Sequence, residues 1–200
     1  MYEMKGKKRQ KIMNKKRMVN TAKECAYLAV FTALVIATQL VFAAVPGVEL
    51  VTVLFISYAF VFGWKRGMAA ATVFSLLRQF IFGVYPTVLI LYIVYYNFLA
   101  LLFGFLGVGF GKKMTMRMDK KTFGILCLIV VISCIATMCF TMFDNILTSL
   151  WYGYSERARE AYFYASLPVM TSQTICSAVS VSVLFLPLRL AFLYVKKGLH

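Results

Sequence analysis

Charged residues, and acidic residues above all, are scarce in this chain of 200 residues. Only 14% of the residues are charged, seven are Asp or Glu, and 62% are hydrophobic. Soluble domains have an apolar share nearer half, so this composition excludes an ordinary soluble domain. A mean hydropathy of +0.79 points the same way, and we predict a polytopic membrane protein.

The shortage of reactive side chains excludes further classes of function. The chain has one histidine, His200, and its five cysteines lie in apolar segments without a C-x-x-C pair, so no usual metal site can be built. It has no Gly-x-x-x-x-Gly-Lys-Ser/Thr loop, so ATP would have to be bound by other chains. The acidic residues in or near apolar segments are Glu24, Glu49 and Asp144, with no histidine available as a base. We expect no catalytic residue, no metal and no cofactor.

Six apolar segments remain, separated by residues that interrupt helices. Pro46-Gly47 cannot continue a helix, Gly83 with Pro86 flanks a later reversal, and basic stretches separate other segments. The segments cover residues 24–44, 49–63, 67–83, 86–110, 123–150 and 166–194. About 20 residues span a bilayer upright. The second and third segments are shorter and the last two longer, which predicts unequal, tilted helices.

Lysine and arginine are distributed unevenly between the two ends of these helices. Six crossings place all 22 of them on one side, except Arg78 inside a segment and Arg157 and Arg159 in a connection. By the positive-inside rule both termini are cytoplasmic. We predict an all-α membrane protein with six transmembrane helices: a basic cytoplasmic arm (1–23), a transmembrane substrate-binding domain (24–195) and a cytoplasmic tail (196–200). The net charge of +15 then belongs to the cytoplasmic flank and suits anionic lipid, not nucleic acid.

Polar side chains recur at membrane depth near the outer ends of the predicted helices. A polar group in hydrocarbon is costly and is usually kept where it binds something or lines a path. Spacings of three and four residues place Asp144 on a polar stripe of the fifth segment and Gln173 on one of the sixth. We predict that such residues converge on one outward-facing pocket for a planar ring, with Arg78 as an anionic contact. The expected lining residues are Arg78, Asn97, Asp144, Asn145, Gln173, Tyr92, Tyr96, Trp151, Tyr152 and Glu49.

Some of these residues also have structural interpretations. An arginine in mid-helix costs about 2.5 to 3.5 kcal/mol on insertion scales, so Arg78 should have an anionic partner, with Asp144 and Glu49 the candidates. The pair with Asp144 could be purely structural, and Glu49 could be a charge favoured by a helix dipole. Tyr92 could belong to an interfacial aromatic belt.

Three features of the sequence resemble the substrate-binding S components of energy-coupling factor (ECF) transporters. One is the ladder Ala29-x-x-x-Ala33-x-x-x-Ala37, whose small residues let another helix approach closely. The others are the segments VPGVELVT at 45–52 and VFGWKRG at 61–67. The resemblance covers residues 22–195 and implies a six-helix fold with a pocket open to the outside.

The resemblance also implies partners and a function. It implies that Ala29, Ala33 and Ala37 dock on a transmembrane coupling subunit that works with two cytoplasmic ATPases. The chain would then be a non-enzymatic binding subunit in the bacterial plasma membrane, capturing a small vitamin or related micronutrient. The alternative is a structural membrane protein, such as a cell-shape or cell-wall assembly factor, whose polar stripes hold partner helices.

Overall fold

Helices make up nearly all of the described chain. The structure, a computed structural model, describes residues 2–45, 50–115 and 119–198, with side chains from residue 21 onward. These residues form six helices and no strand. The helices are α1 (Tyr2–Phe42), α2 (Val51–Phe62), α3 (Trp64–Phe82), α4 (Pro86–Phe110), α5 (Lys120–Trp151) and α6 (Glu156–Gly198). The predicted all-α class is confirmed, and each predicted apolar segment falls on one helix.

Four stretches of the described chain are long and apolar enough to cross a membrane. They are Thr21–Phe42, Pro86–Phe110, Lys120–Trp151 and Glu156–Gly198. By contrast, α2 has 12 residues, about 18 Å at 1.5 Å per residue, against about 30 Å of hydrocarbon. By length and composition these four helices are those of a membrane protein, and the count of six crossings stays a prediction.

The exposed outer faces of the helices are apolar, like the core of the bundle. Val41 is 72% exposed, Phe80 84% and Val108 71%. Soluble monomers rarely expose large contiguous apolar patches, and such surfaces mark contact with a membrane or another protein. These faces are suited to lipid.

Helix α3 ends and helix α4 begins where the sequence predicts a break, at Gly83 and Pro86. Gly83 ends α3 with φ 96°, a conformation that favours glycine, and its N–H donates to the Gln79 carbonyl at 3.0 Å. Pro86 then opens α4 at a first-turn position, where no N–H is needed. The predicted boundary between these two segments is confirmed.

The last helix begins earlier than its apolar pattern predicts. The sequence predicts a start at residue 166, whereas α6 begins at Glu156 and contains Pro168 inside the helix. The early turns are polar, so hydropathy misses them, but Glu, Arg and Ala are good helix formers. The Ser155 hydroxyl accepts a hydrogen bond from the backbone N–H of Ala158 at 3.4 Å and caps this start. The connection from α5 to α6 is therefore much shorter than expected.

Helix α2 is the centre of the bundle. All 12 of its residues are buried, with α1, α3, α4 and α6 packed around it, as an all-round apolar helix requires. Helix α4 packs closely against it: Gly107 lies against the carbonyl of Phe60 in α2, and Gly104 lies against the backbone of Trp64, the first residue of α3. A Cβ at either glycine would overlap these atoms, so the two glycines set the distance between the helices.

Polar contacts bring basic residues together at one end of the bundle, which we call the basic end. The buried Arg189 of α6 donates to the carbonyl oxygens of Gly111 at 2.9 Å and Met114 at 3.0 Å. Arg66, in the first turn of α3, forms a salt bridge with Glu24 of α1. Lys196, near the end of α6, donates to the Val61 carbonyl just before α3, so the start of α3, the end of α4 and the end of α6 lie at the same end.

Candidate binding cavity

A cavity of about 330 Å³ opens at the end of the bundle opposite the basic end. We call it the binding cavity. All six helices or their adjoining residues contribute, with α1 and α3 near their last turns and α4 in its first half. The lining residues are Thr38, Gln39, Phe42, Ala43, Val45, Leu50, Val51, Arg78, Phe82, Tyr92, Tyr96, Phe140 and Gln173. The sequence-predicted residues Arg78, Tyr92, Tyr96 and Gln173 thus line one cavity.

Two consecutive hydrogen bonds, from α3 to α1 and from α1 to α4, form the polar wall of the binding cavity. The Arg78 Nε donates to Gln39 Oε1 at 3.2 Å, and the Gln39 Nε2 donates to the Tyr92 hydroxyl at 3.0 Å. The two bonds fix the orientation of the Gln39 amide, since its oxygen must accept from the arginine. Gln39 therefore holds the guanidinium in place and joins three helices at the cavity.

Aromatic rings support the same guanidinium. Its carbon lies 4.2 Å from the ring centroid of Tyr92 and 4.8 Å from that of Phe82, within the range of cation–π contacts. Tyr92 in turn packs on Tyr96, with ring centroids 5.3 Å apart, and on Phe140 at 5.8 Å. The cavity thus combines a fixed cation with a wall of aromatic rings.

The Arg78 side chain has no carboxylate partner in the described chain. Asp144, one of the two candidate partners, forms no salt bridge with Arg78; its oxygens accept from Thr148 at 3.2 Å and Tyr162 at 3.4 Å. Glu49, the other candidate, lies outside the described residues. Gln39 is the one described acceptor of an Arg78 hydrogen bond. A guanidinium has five N–H donors, so within the described chain most of the Arg78 donors have no protein acceptor.

Gln173 reaches the cavity from α6. Its amide lies 3.4 Å from the Thr141 hydroxyl of α5, whose single proton also lies within reach of the Thr137 carbonyl at 3.5 Å. No described residue accepts from the Gln173 Nε2. The amide can therefore donate to or accept from a bound molecule.

Asn97 and Asp144 do not line the binding cavity, so the predicted convergence of four polar residues is wrong in that form. Asn97 lies between α3 and α4, where its Oδ1 accepts from Thr72 at 3.2 Å and its Nδ2 donates to the Ile93 carbonyl at 2.8 Å. Asp144 lies between α5 and α6, bonded to Tyr162. A helical stripe shows which residues share a face, but it does not show which neighbour that face meets.

Asn145, Trp151 and Tyr152 are also outside the binding cavity. Asn145 donates to the Ser166 hydroxyl at 2.7 Å and lines a separate cavity between α5 and α6. Trp151 and Tyr152 are 53% and 54% exposed at the end of α5. Exposed aromatic residues at such a position are typical of a membrane interface.

The alanines of α1 lie on its uncovered side. Ala29, Ala33 and Ala37 are all exposed, whereas Phe31 and Val35 between them are buried against the bundle. A smooth face of small residues is therefore open to another helix.

Family models, curated proteins and solved structures give no match to this chain. The resemblance to S components therefore rests on the sequence motifs alone.

Sequence reasoning missed Gln39, which holds Arg78 in position. A signal was present, because Gln39 is an amide within the long apolar run of the first segment, and such a residue is costly in lipid. Phe82 and Phe140 gave no comparable signal, since aromatic residues in apolar segments are common and nothing in their spacing indicates a cavity.

Proposed function

We propose that this protein is the membrane-embedded S component of an ECF-type importer and captures a small vitamin or related micronutrient. The observation that carries the proposal is the binding cavity: a fixed guanidinium, two amides and a wall of aromatic rings at one end of a membrane bundle. In this proposal the chain has no catalytic activity, no cofactor and no nucleic-acid partner.

The lining favours a small, planar and anionic substrate. A volume of about 330 Å³ is at the lower end of the range for small-molecule sites. The described lining contains Arg78 and no carboxylate, so an anion is favoured over a cation. The half-buried rings of Phe82, Tyr92 and Phe140 line the cavity and suit a ring-containing molecule, and Gln173 adds an amide.

The charge distribution supports access from outside a bacterial cell. Basic residues flank the end opposite the cavity, and by the positive-inside rule that end faces the cytoplasm. The cavity end would then face outward in the plasma membrane, with both termini inside and six crossings of the bilayer.

The exposed alanine face supports a coupling partner. Ala29, Ala33 and Ala37 would dock on a transmembrane coupling subunit, and two ATPases bound to that subunit would supply the energy of transport. Binding and coupling then use different surfaces of the chain, which allows them to be tested separately.

The first test is to identify what the purified protein retains. Protein extracted in mild detergent is denatured, and the released small molecules are identified by mass spectrometry; in parallel, a vitamin panel is screened for a rise in Tm. We expect a ring-containing anion in the first assay and stabilisation by that compound in the second. Absence of any retained molecule together with no shift across the panel would sink the binding proposal.

The second candidate is a structural role in a cell-shape or cell-wall assembly, because the exposed alanine face of α1 would equally suit a partner helix of such an assembly. Asn97 and Asp144 do not serve this role, since they contact neighbouring helices of the same bundle. Affinity capture from the native membrane separates the candidates: coupling and ATPase subunits support transport, whereas cell-wall enzymes support assembly.

A further inference from the structure

A cavity of about 660 Å³ lies between the end of α4 and the first turns of α5. We call it the α4–α5 cavity. The described lining residues that matter to its chemistry are Lys113, Lys120, Lys121, Gly124, Ile125 and Leu128. None of these residues lines the binding cavity, so the two cavities are separate features of the bundle.

The charges that line this cavity are all positive. Lys113, Lys120 and Lys121 are exposed, and none of them forms a salt bridge within the described chain. The Lys113 Nζ lies 5.7 Å from the ring centroid of Phe110 at the end of α4. Asp119, the acidic residue next to Lys120 in the sequence, does not line the cavity. Ammonium groups that share a cavity repel one another, and a bound anion relieves that repulsion.

Hydrogen bonds hold both sides of the cavity in place. The Thr115 N–H donates to the Oγ1 of the buried Thr122 at 3.2 Å, and Thr122 lies in the first turn of α5, directly after its two lysines. Arg189 of α6 donates to the Met114 carbonyl at 3.0 Å, which anchors the segment that carries Lys113 at the basic end. The fold therefore brings lysines from the connection and from α5 to one cavity.

An apolar stripe leads from the lysines along the exposed face of α5. The residues Lys121, Gly124, Leu128, Val131 and Ile135 follow one another at steps of three and four and so share a face. Leu128 is 41% exposed, and Val131 and Ile135 are both 55% exposed. From Lys121 to Ile135 the helix rises about 21 Å, and one leaflet with its headgroups is about 20 to 22 Å thick. The face therefore matches one leaflet, with its charge at headgroup depth.

Charge and stripe together select one kind of occupant. A soluble anion pairs with the lysines but leaves the stripe uncovered, and a neutral lipid covers the stripe but leaves the lysines without a counter-charge. We propose that the α4–α5 cavity is a binding site for an anionic phospholipid. Lys113, Lys120 and Lys121 donate to the headgroup phosphate, and an acyl chain lies along Leu128 and Val131.

Native mass spectrometry of the full chain in detergent tests this proposal, with phosphatidylglycerol and phosphatidylcholine of identical acyl chains. We expect one phosphatidylglycerol to bind at least about tenfold more tightly, because each lysine near an anionic lipid contributes about fivefold. Equal retention of the two lipids would overturn the proposal. Displacement of phosphatidylglycerol by equimolar inorganic phosphate would also overturn it, because the cavity would then be a site for a soluble anion.

The substitution Gly124→Leu tests the cavity without changing its charge. A Cβ at Gly124 meets nothing within 4 Å, so the longer side chain can occupy the cavity without a clash in the bundle. We expect phosphatidylglycerol to bind about tenfold more weakly while the Tm is kept. Wild-type binding in this variant would show that the lipid does not occupy the cavity.

A triple variant tests the lysines. Lys113→Gln, Lys120→Gln and Lys121→Gln, combined in one protein, remove the charge of the cavity and should abolish the preference for phosphatidylglycerol over phosphatidylcholine. These side chains are exposed, so their replacement should spare the fold. A preference that survives in the triple variant would contradict the role of the lysines.

The matched control combines Lys23→Gln, Lys112→Gln and Lys197→Gln. These lysines are also exposed, and they do not line the cavity. The control loses the same net charge and should bind phosphatidylglycerol like the wild type. An equal loss in the two triple variants would mean that overall charge attracts the lipid, and it would overturn the proposal. None of these outcomes bears on the binding cavity, which is tested by its own ligand.

Discussion

Replacing Gly107 with alanine should destabilise the bundle, because α4 has no room for a Cβ at this position. A Cβ built there would overlap the Phe60 carbonyl oxygen and lie 2.8 Å from its carbon. Ordinary contact begins near 3.4 Å, and α2 is buried on all sides and cannot yield easily. Overpacking typically costs about 1 to 3 kcal/mol, occasionally more, while alanine returns about 1 kcal/mol of helix propensity. We expect a net loss of about 2 kcal/mol.

Gly109→Ala is the matched control, two residues further along the same helix. A Cβ at Gly109 meets nothing within 4 Å, so the substitution keeps the gain in propensity without a clash. At about 2 to 4 °C per kcal/mol for a chain of this size, Gly107→Ala should lower the Tm by about 4 to 8 °C, whereas Gly109→Ala should leave it unchanged or slightly raised. Thermal unfolding in detergent measures both. Equal Tm values for the two variants would refute the packing of α4 on α2.

Three further substitutions test other parts of the account. Arg189→Met removes the donors to two carbonyl oxygens and should lower stability by about 2 to 4 kcal/mol in the same unfolding assay, with partial recovery in Arg189→Lys. Gln39→Leu removes the amide that holds Arg78 and should weaken ligand binding about tenfold in calorimetry, with little change in Tm; unchanged affinity would contradict its positioning role. Ala33→Phe places a bulky side chain on the exposed face of α1 and should spare ligand binding while abolishing uptake by intact cells, whereas parallel loss of both would argue against docking.

The sequence alone predicts the six helices, but it does not predict where each of them begins and ends. Apolar runs give the six helices, because a membrane helix must be apolar over most of its length. Gly83 and Pro86 mark a boundary correctly, since both act through the local backbone. The polar first turns of α6 were missed because hydropathy does not report helix propensity, and the cap at Ser155 is a local signal outside the apolar run.

The lining of the binding cavity could be predicted only in part from the sequence. Arg78 and Gln173 were found because polar residues stand out in apolar helices. Asp144 stands out equally, yet its carboxylate contacts Tyr162 of α6. The difference depends on how the helices pack around α2, and one-dimensional periodicity does not contain that information.

The most direct test of the binding cavity is the affinity for the retained ligand in two variants, measured by calorimetry. Arg78→Met removes the cation that lines the cavity, whereas Asp144→Asn changes a charge outside it. We expect Arg78→Met to lose about tenfold to a hundredfold in affinity and Asp144→Asn to bind like the wild type. Wild-type affinity in Arg78→Met, or an equal loss in both variants, would contradict the assignment of the cavity as the substrate site.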